Sequence, residues 1–437
     1  MIQRFRSLPS AEQARLARDW LPVGPLAERL VLPPDRLLML RVTLPLALLA
    51  GILLSPKLWL SSRDFPVTPL AELFPELDSP LDALVLAVLI AALVLTVIAR
   101  PPRPFLWLIV VTLVLMVLLD QTRLQPWVYQ YLFMFGALAL IEGRGNGPDS
   151  DTALRTVRLI LAATYVWSGA QKLNVSFADE IFPWFAEPFV DVLPFISTGD
   201  LPTWLGVLAA VVELGLGAGL LWSRTRRLAV AGLILMHILI LISLVSHNWN
   251  SVIWPWNIAM PLFLVVLFWG TGGWHGRAQG GRWRTRIHIR RLGAQLFGEG
   301  MARGQRALYL SVIVLFAALP LLSFFGGWES FLSSSLYSGN IQRATIIIDG
   351  EVAKLLPTGV QDELRPAPEE RASLSISDWA LSDLNVPPYP EPRVFRMIAE
   401  RVCGYADGVG RVELIIIDTP GVFSGDRGIS GFTCDDL

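Results

Sequence analysis

The chain has 437 residues, 53% hydrophobic and only 17% charged, with a formal net charge of -1. That composition is too apolar for an ordinary soluble protein and indicates a polytopic membrane protein. The near-zero net charge specifies no acidic or basic partner, because the charges are segregated along the chain.

The first residues, MIQRFRSLPSAEQARLARDW, lack the apolar core and small-residue cleavage site of a signal peptide and are expected to stay on the mature protein. Ser10 as an N-cap, with Leu16, Trp20 and Leu21 set among arginines, predicts a cytoplasmic helix within residues 1–35 that lies in the inner interface. From 36 to 339 the chain reads as a transmembrane domain. Apolar runs long enough to cross about 30 Å of hydrocarbon fall at 37–55, 81–99, 104–120, 125–141, 153–172, 203–222, 228–246, 251–269 and 308–326, about nine spans, the third and fourth being short.

Arginines cluster before the first run, between the second and third, around the turn into the fifth and between the sixth and seventh. The connection 270–307 carries eight more, from Arg277 to Arg306, whereas the intervening connections hold only Lys57, Arg63 and Arg123. Positive-inside counting therefore places the N-terminus in the cytoplasm and the C-terminus outside the cell (inner) membrane. His275 and His288 sit in the basic connection and are expected to be solvated, with its arginines contacting anionic lipid and no nucleic acid implied.

Residues 340–437 change character. Strand-like ATIIID and VELIIID, the helical PRVFRMIAERVCGYA and turn-rich NVPPYPEP predict a small extracytoplasmic α+β domain, which offers a surface to a protein partner. It holds both cysteines, Cys403 and Cys434, on the side expected to be oxidising. A disulfide between them is expected, worth about 3–4 kcal/mol in the chain-entropy model. IIIDTPG, 415–421, has the look of a GTPase element, but no GxxxxGK[ST] accompanies it, so a strand entering a Pro-Gly turn is expected and no nucleotide. No metal site is expected either.

Polar residues inside the spans carry the functional signal, since each costs about 2.5–3.5 kcal/mol at the bilayer centre. In the fifth run Arg158, Leu161, Tyr165, Ser168 and Lys172 recur at steps of three and four and share one helix face. Glu213 and His237 stand halfway along the sixth and seventh runs, where they are expected to meet near the midplane. SHNWNSVIWPWN, 246–257, concentrates His247, Asn248, Trp249, Asn250, Trp254, Trp256 and Asn257 at the depth of Lys172. Only three lysines, Lys57, Lys172 and Lys354, stand beside 33 arginines, so a lysine inside a span points to chemistry that arginine lacks. Lysine loses its proton in a low-dielectric site far more readily than arginine and can act as a base.

YVWSGAQKLN, 165–174, with the Trp184 segment, the Glu213 span, the LMH of the seventh run and GGWESFLSSSLYSGN, resembles the HTTM group, the membrane domain similar to vitamin K-dependent gamma-carboxylase. DoxX-like proteins are a more distant resemblance. The HTTM resemblance extends over roughly residues 35–340. It implies that Lys172 matches the lysine base that reacts with reduced vitamin K, and that a quinone or vitamin K-like lipid is the cofactor. Ser168, Gln171 and Asn174 depart from the family's motif. Two function classes follow. One is a membrane enzyme or redox partner of carboxylase-like or quinone-linked oxidoreductase chemistry, with Lys172 as base, His247 and Tyr165 assisting, and Trp249, Asn250, Trp254, Asn257, Glu213 and His237 around the lipid. The other is a non-enzymatic transporter or membrane assembly factor whose outer domain binds a partner.

Overall fold

The computed structural model describes residues 36–71, 73–141, 148–192, 197–269, 298, 300–406, 408–421 and 425–437. The expected interfacial helix of residues 1–35, and most of the basic connection with His275 and His288, lie outside them.

In hydrocarbon a backbone must satisfy its own hydrogen bonds, so long apolar runs become helices. These are α1 (Arg36–Leu54), α2 (Leu81–Ile98), α3 (Arg103–Leu119), α4 (Pro126–Ala139), α5 (Pro148–Gln171), α6 (Phe182–Val190), α7 (Thr203–Gly219), α8 (Arg226–Ser246), α9 (Trp254–Phe268) and α10 (Arg303–Val312). Beyond α10 the chain continues through a wide π turn, Ile313–Ala318, and a tighter 3-10 stretch, Leu319–Phe325. Each expected span falls on one of these helical stretches. Five stretches among the described residues are long and apolar enough to cross a membrane: α1, α2, α8, 251–268 and 303–325; α3 and α7 are apolar but shorter. The expected nine crossings are not met on that criterion. Helix α4 has 14 residues, nearly all buried inside the bundle, and α5 opens with Asp149, Asp151, Arg155 and Arg158. The chain is a multi-pass membrane protein whose innermost helices are less uniformly apolar than those facing lipid.

The outer helices show the lipid-facing pattern directly. On α2, Leu84, Val88, Val94 and Ile98 are exposed while Leu86, Leu89, Ala92 and Leu93 are buried; α3 likewise exposes Leu108, Val111, Val114 and Leu115. At one end of the bundle arginines satisfy the orphan carbonyls of helix C-termini. Arg41 Nε donates to Thr96 O (2.7 Å), Arg158 Nε to Leu267 O (2.7 Å) and Arg103 Nε to Ala139 O (3.2 Å). At the other end Arg63 and Arg123 are buried around Asp120, Arg63 Nη2 lying 2.7 Å from its Oδ2 and Arg123 Nε 3.5 Å. Those two arginines are therefore structural, which removes them from any count of solvated loop charge.

The C-terminal part docks on this second end. Strands β1 (Arg343–Asp349), β2 (Arg365–Ala367), β3 (Arg371–Ser375), β4 (Val412–Ile417) and β5 (Ile429–Thr433) form an antiparallel sheet in the order β2-β3-β1-β4-β5. The period-2 pattern puts Ala344, Ile346, Ile348, Leu374, Leu414 and Ile416 on the buried face, with Ile346 opposite both Leu374 and Leu414. Helices α11 (Ile376–Leu384) and α12 (Pro392–Ala406) supply the facing side chains, Trp379 from the first and Phe395, Ile398 and Val402 from the second. Cys403 at the end of α12 and Cys434 just after β5 form the disulfide, their Cα atoms 5.8 Å apart. Lys57 pairs with Asp383 (2.6 Å), and Asn385 Nδ2 donates to Ser251 Oγ (2.7 Å), seating α11 on the bundle. The IIIDTPG stretch is β4 running into an irregular turn at Asp418.

Candidate functional site

The site is built on the last two turns of α5. Tyr165, Ser168 and Lys172 lie at i, i+3 and i+7 and project from one face. Helix α7 crosses that face at backbone contact because two glycines leave room for it. A Cβ on Gly169 would stand 2.4 Å from Leu214 N, and one on Gly217 2.8 Å from Tyr165 Cβ. This approach brings Glu213 to Lys172. Lys172 Nζ lies 2.6 Å from Glu213 Oε2 and 2.9 Å from Ser168 Oγ, with the Phe177 ring centroid 5.9 Å away. The lysine is 9% exposed and the glutamate 6%, so the ammonium turns into the bundle rather than outward to lipid headgroups.

Glu213 and His237 face the same cavity, as expected of their depth, but the direct pair is corrected: each bonds another partner. A buried carboxylate gains more from a cation than from an imidazole, and α7 delivers Glu213 to Lys172. His237 instead holds Tyr165 Oη through Nε2 (2.8 Å) and Asn257 Oδ1 through Nδ1 (2.9 Å).

Between these groups lies a cavity of about 800 Å³. Tyr165, Lys172, Glu213, His237 and Asn257, all expected at the site, line it together. Helix α6 closes one side with Phe182, Phe185, Ala186 and Phe189, at i, i+3, i+4 and i+7. Val212 of α7 and Leu235 and Leu239 of α8 line the cavity and are also exposed on the bundle's flank, so that wall is one side chain thick.

His247, Trp249, Asn250 and Trp254 do not line the cavity. His247 donates from Nε2 to Trp184 O (3.0 Å), stacks on the Trp184 ring at 4.3 Å and stands 3.7 Å from Glu187. Trp254 donates to Trp249 O (3.2 Å), and Asn250 to Tyr337 Oη (2.7 Å). They brace α6 and the turn after α8, where Asn248 and Asn250 take left-handed backbone conformations that asparagine tolerates.

Trp256 of the expected aromatic cluster does line the cavity; sequence reasoning missed Gln130, whose Oε1 accepts from Trp256 Nε1 at 2.8 Å on the cavity wall, and Tyr129, which lines the cavity with its hydroxyl unpartnered among the described residues. A lone glutamine inside an apolar span was the available signal. It missed too that Gln171 and Asn174 stitch α5 to the strand-ward segment: Gln171 Nε2 donates to Ser323 Oγ (2.6 Å), its Oε1 accepts from Asn340 (2.5 Å), and Asn174 donates to Ser338 O (2.8 Å). Away from the cavity, Tyr389 bonds Glu329, and burial beside that carboxylate raises Glu391 to about 7.

Residues 153–247 match the DoxX family model. The segment runs from α5 through α8 and carries Lys172, Glu213, His237 and His247. No curated protein and no solved structure matches the chain significantly.

Proposed function

We propose that the chain is a membrane enzyme or redox partner that binds a quinone-like or vitamin K-like lipid in this cavity, with Lys172 as base or proton carrier. The observation that carries this reading is the buried Lys172–Glu213 pair on the wall of a mostly apolar cavity of about 800 Å³. A polar pair held inside an apolar pocket orients a ligand that is itself mostly apolar. Phe182, Phe185, Phe189 and Trp256 are walls for a flat ring, and the thin flank at Val212, Leu235 and Leu239 is an entrance from lipid. Two of the three ammonium N–H groups of Lys172 are committed, to Ser168 and Glu213, leaving one for a ring oxygen. When the pair is in its neutral form, the amine takes the proton of a ring hydroxyl and the resulting ammonium stays beside the ring oxyanion. The motif's resemblance to the carboxylase-like HTTM group supports the same ligand class. The proposed setting is a cell membrane, N-terminus cytoplasmic and sheet outside.

The test compares wild type, Lys172→Arg and Lys172→Ala, matched for expression, for lipid that co-purifies and for uptake of added naphthoquinone. Arginine keeps the cation but cannot release its proton near neutral pH. Wild type is expected to hold the ring lipid, and both variants to lose it alike. Full retention in the arginine variant alone would end the base reading. Unchanged retention in both variants favours the transporter or assembly-factor role.

A further inference from the structure

The stretch that leads from the bundle toward β1, residues 329–337, forms part of the cavity wall and carries backbone strain. Phe331, Ser334, Leu336 and Tyr337 line the cavity. Ser334 and Tyr337 stand at φ +61° and +54°, left-handed values that cost a non-glycine residue free energy and persist only where surrounding contacts impose them. Within the stretch Ser335 Oγ is buried with no hydrogen-bond partner among the described residues. Neighbouring segments therefore hold this wall in place as much as its own turns do.

Much of that hold comes from the loop before α12. Tyr389, fully buried, donates from Oη to Glu329 and packs edge-on against Phe331, the ring centroids 5.4 Å apart. Glu391, two residues on, faces the Ser330 backbone N–H and the Glu329 carboxylate. Two carboxyl groups thus confront each other across a seam, one from the bundle and one from the C-terminal part. Arg393 lies near them but commits Nη1 to Leu70 O (2.6 Å) and Nη2 to Gln121 Oε1. The titratable and charged groups that face Glu391 are Glu329 from the stretch, with Tyr389 and Arg393 from its own segment; the turn at Gln121 presents only a neutral amide to Tyr389.

We propose that residues 329–337 are a strap on the cavity wall, held while Glu391 carries a proton and released when Glu329 and Glu391 are both ionised. With Glu391 neutral, the seam holds one negative charge, which the Tyr389 hydroxyl stabilises. A second charge in the same half-buried seam repels the first, and the strain at Ser334 and Tyr337 favours the departure of the stretch. Burial, and then the charge of Glu329, raise the held Glu391 carboxyl from 4.5 to about 7. The held state therefore binds the extra proton. Its advantage is full below about pH 4.5, falls as the pH rises to about 7 and is level above that. The strap operates whichever ligand the cavity takes, so its failure would leave the proposed function standing.

Hydrogen exchange of the full-length protein in detergent tests this, read at the peptide 329–338 and divided by the intrinsic exchange rate at each pH. Wild type is expected to lose about tenfold or more of its protection there between about pH 5 and about pH 8, while β1 keeps its own. Glu391→Gln, neutral throughout, should stay protected at both. Glu329→Gln keeps an oxygen for Tyr389, removes the charge and should flatten the profile alike, whereas Tyr389→Phe should lower protection at either pH. A merely structural contact predicts instead that Glu391→Gln leaves the pH dependence as it was. Equal wild-type protection at the two pH values overturns the proposal, as does a loss that survives in both glutamine variants or extends equally to β1. Should one glutamine variant misfold, the other decides; should both, a wild-type midpoint outside the window from about 4.5 to about 7 belongs to another group and overturns it.

Discussion

Lys172 and Glu213 are each almost fully buried and meet at 2.6 Å, so neither can be removed without stranding the other. Breaking a buried pair from one side costs about 3–5 kcal/mol, because the remaining charge has no partner, whereas replacing both ions by groups of similar size is often neutral. Glu213→Gln is therefore expected to destabilise the protein by about 3 kcal/mol or more, and Lys172→Met combined with Glu213→Gln to recover most of that loss while binding no ring lipid. Denaturant unfolding in detergent, read beside lipid retention, checks both. A single Glu213→Gln variant as stable as wild type would show that Ser168 and solvent suffice for the ammonium. Recovered stability without lipid in the double variant would separate stability from binding at this pair, the mark of a functional charge as against a structural one such as Arg63 with Asp120.

At the scale of elements, the pair exists because α5 and α7 touch backbone to backbone. Gly169 faces Leu214 N and Ala210 O, and a methyl there would meet both at under 3 Å. Helix α7 offers a control, since a Cβ on its Gly215 meets nothing within 4 Å. Gly169→Ala should push the helices apart, costing about 1–3 kcal/mol as an overpacked contact does, and should weaken ring-lipid retention with it. Gly215→Ala should leave both unchanged. Melting temperatures and lipid content of the two variants give the comparison, and equal behaviour would mean that the crossing is looser than its geometry. Helix α6 belongs at this scale as well. Its phenylalanine face lies on the cavity, and His247 and Trp184 hold it to α8, so a histidine expected to assist chemistry instead positions a wall.

For the whole molecule, the docked sheet and the arginine-capped helix ends occupy opposite ends of the bundle, which gives the proposed orientation a direct check. With Cys403 and Cys434 already paired, a new cysteine is the free thiol available to label. In sealed vesicles of known sidedness, Arg277→Cys should react only with reagent on the cytoplasmic side and a cysteine at the exposed Asp362 (Asp362→Cys) only with reagent on the outer side. Reaction of both from one face would sink the arrangement and the count of crossings behind it. Because Asp383 of α11 and the Asn385 that follows it seat on Lys57 and on Ser251 just before α9, and Asn340 before β1 bonds Gln171 beside Lys172, the sheet covers the end of the bundle where Lys172 sits.

Much of this was legible along the chain, for physical reasons that are local. Hydrocarbon forces apolar runs into helices, so the positions of the spans follow from hydropathy, and period-2 alternation marked ATIIID and VELIIID as β1 and β4. Helical spacing put Tyr165, Ser168 and Lys172 on one face, and two cysteines in one outer segment left a single intrachain pairing to expect. Partner choice was not legible, because it depends on which helices cross and how closely. Glu213 is 41 residues from Lys172 and 24 from His237 in sequence, and Gly169 and Gly217 decided that it meets the lysine. Short strands such as β2, three residues long, carry too little pattern to be read alone. The cavity, its Gln130 and Tyr129 walls and the displacement of His247 behind α6 arise only when distant segments pack, since a void is a property of the surfaces that fail to fill it and of no one segment.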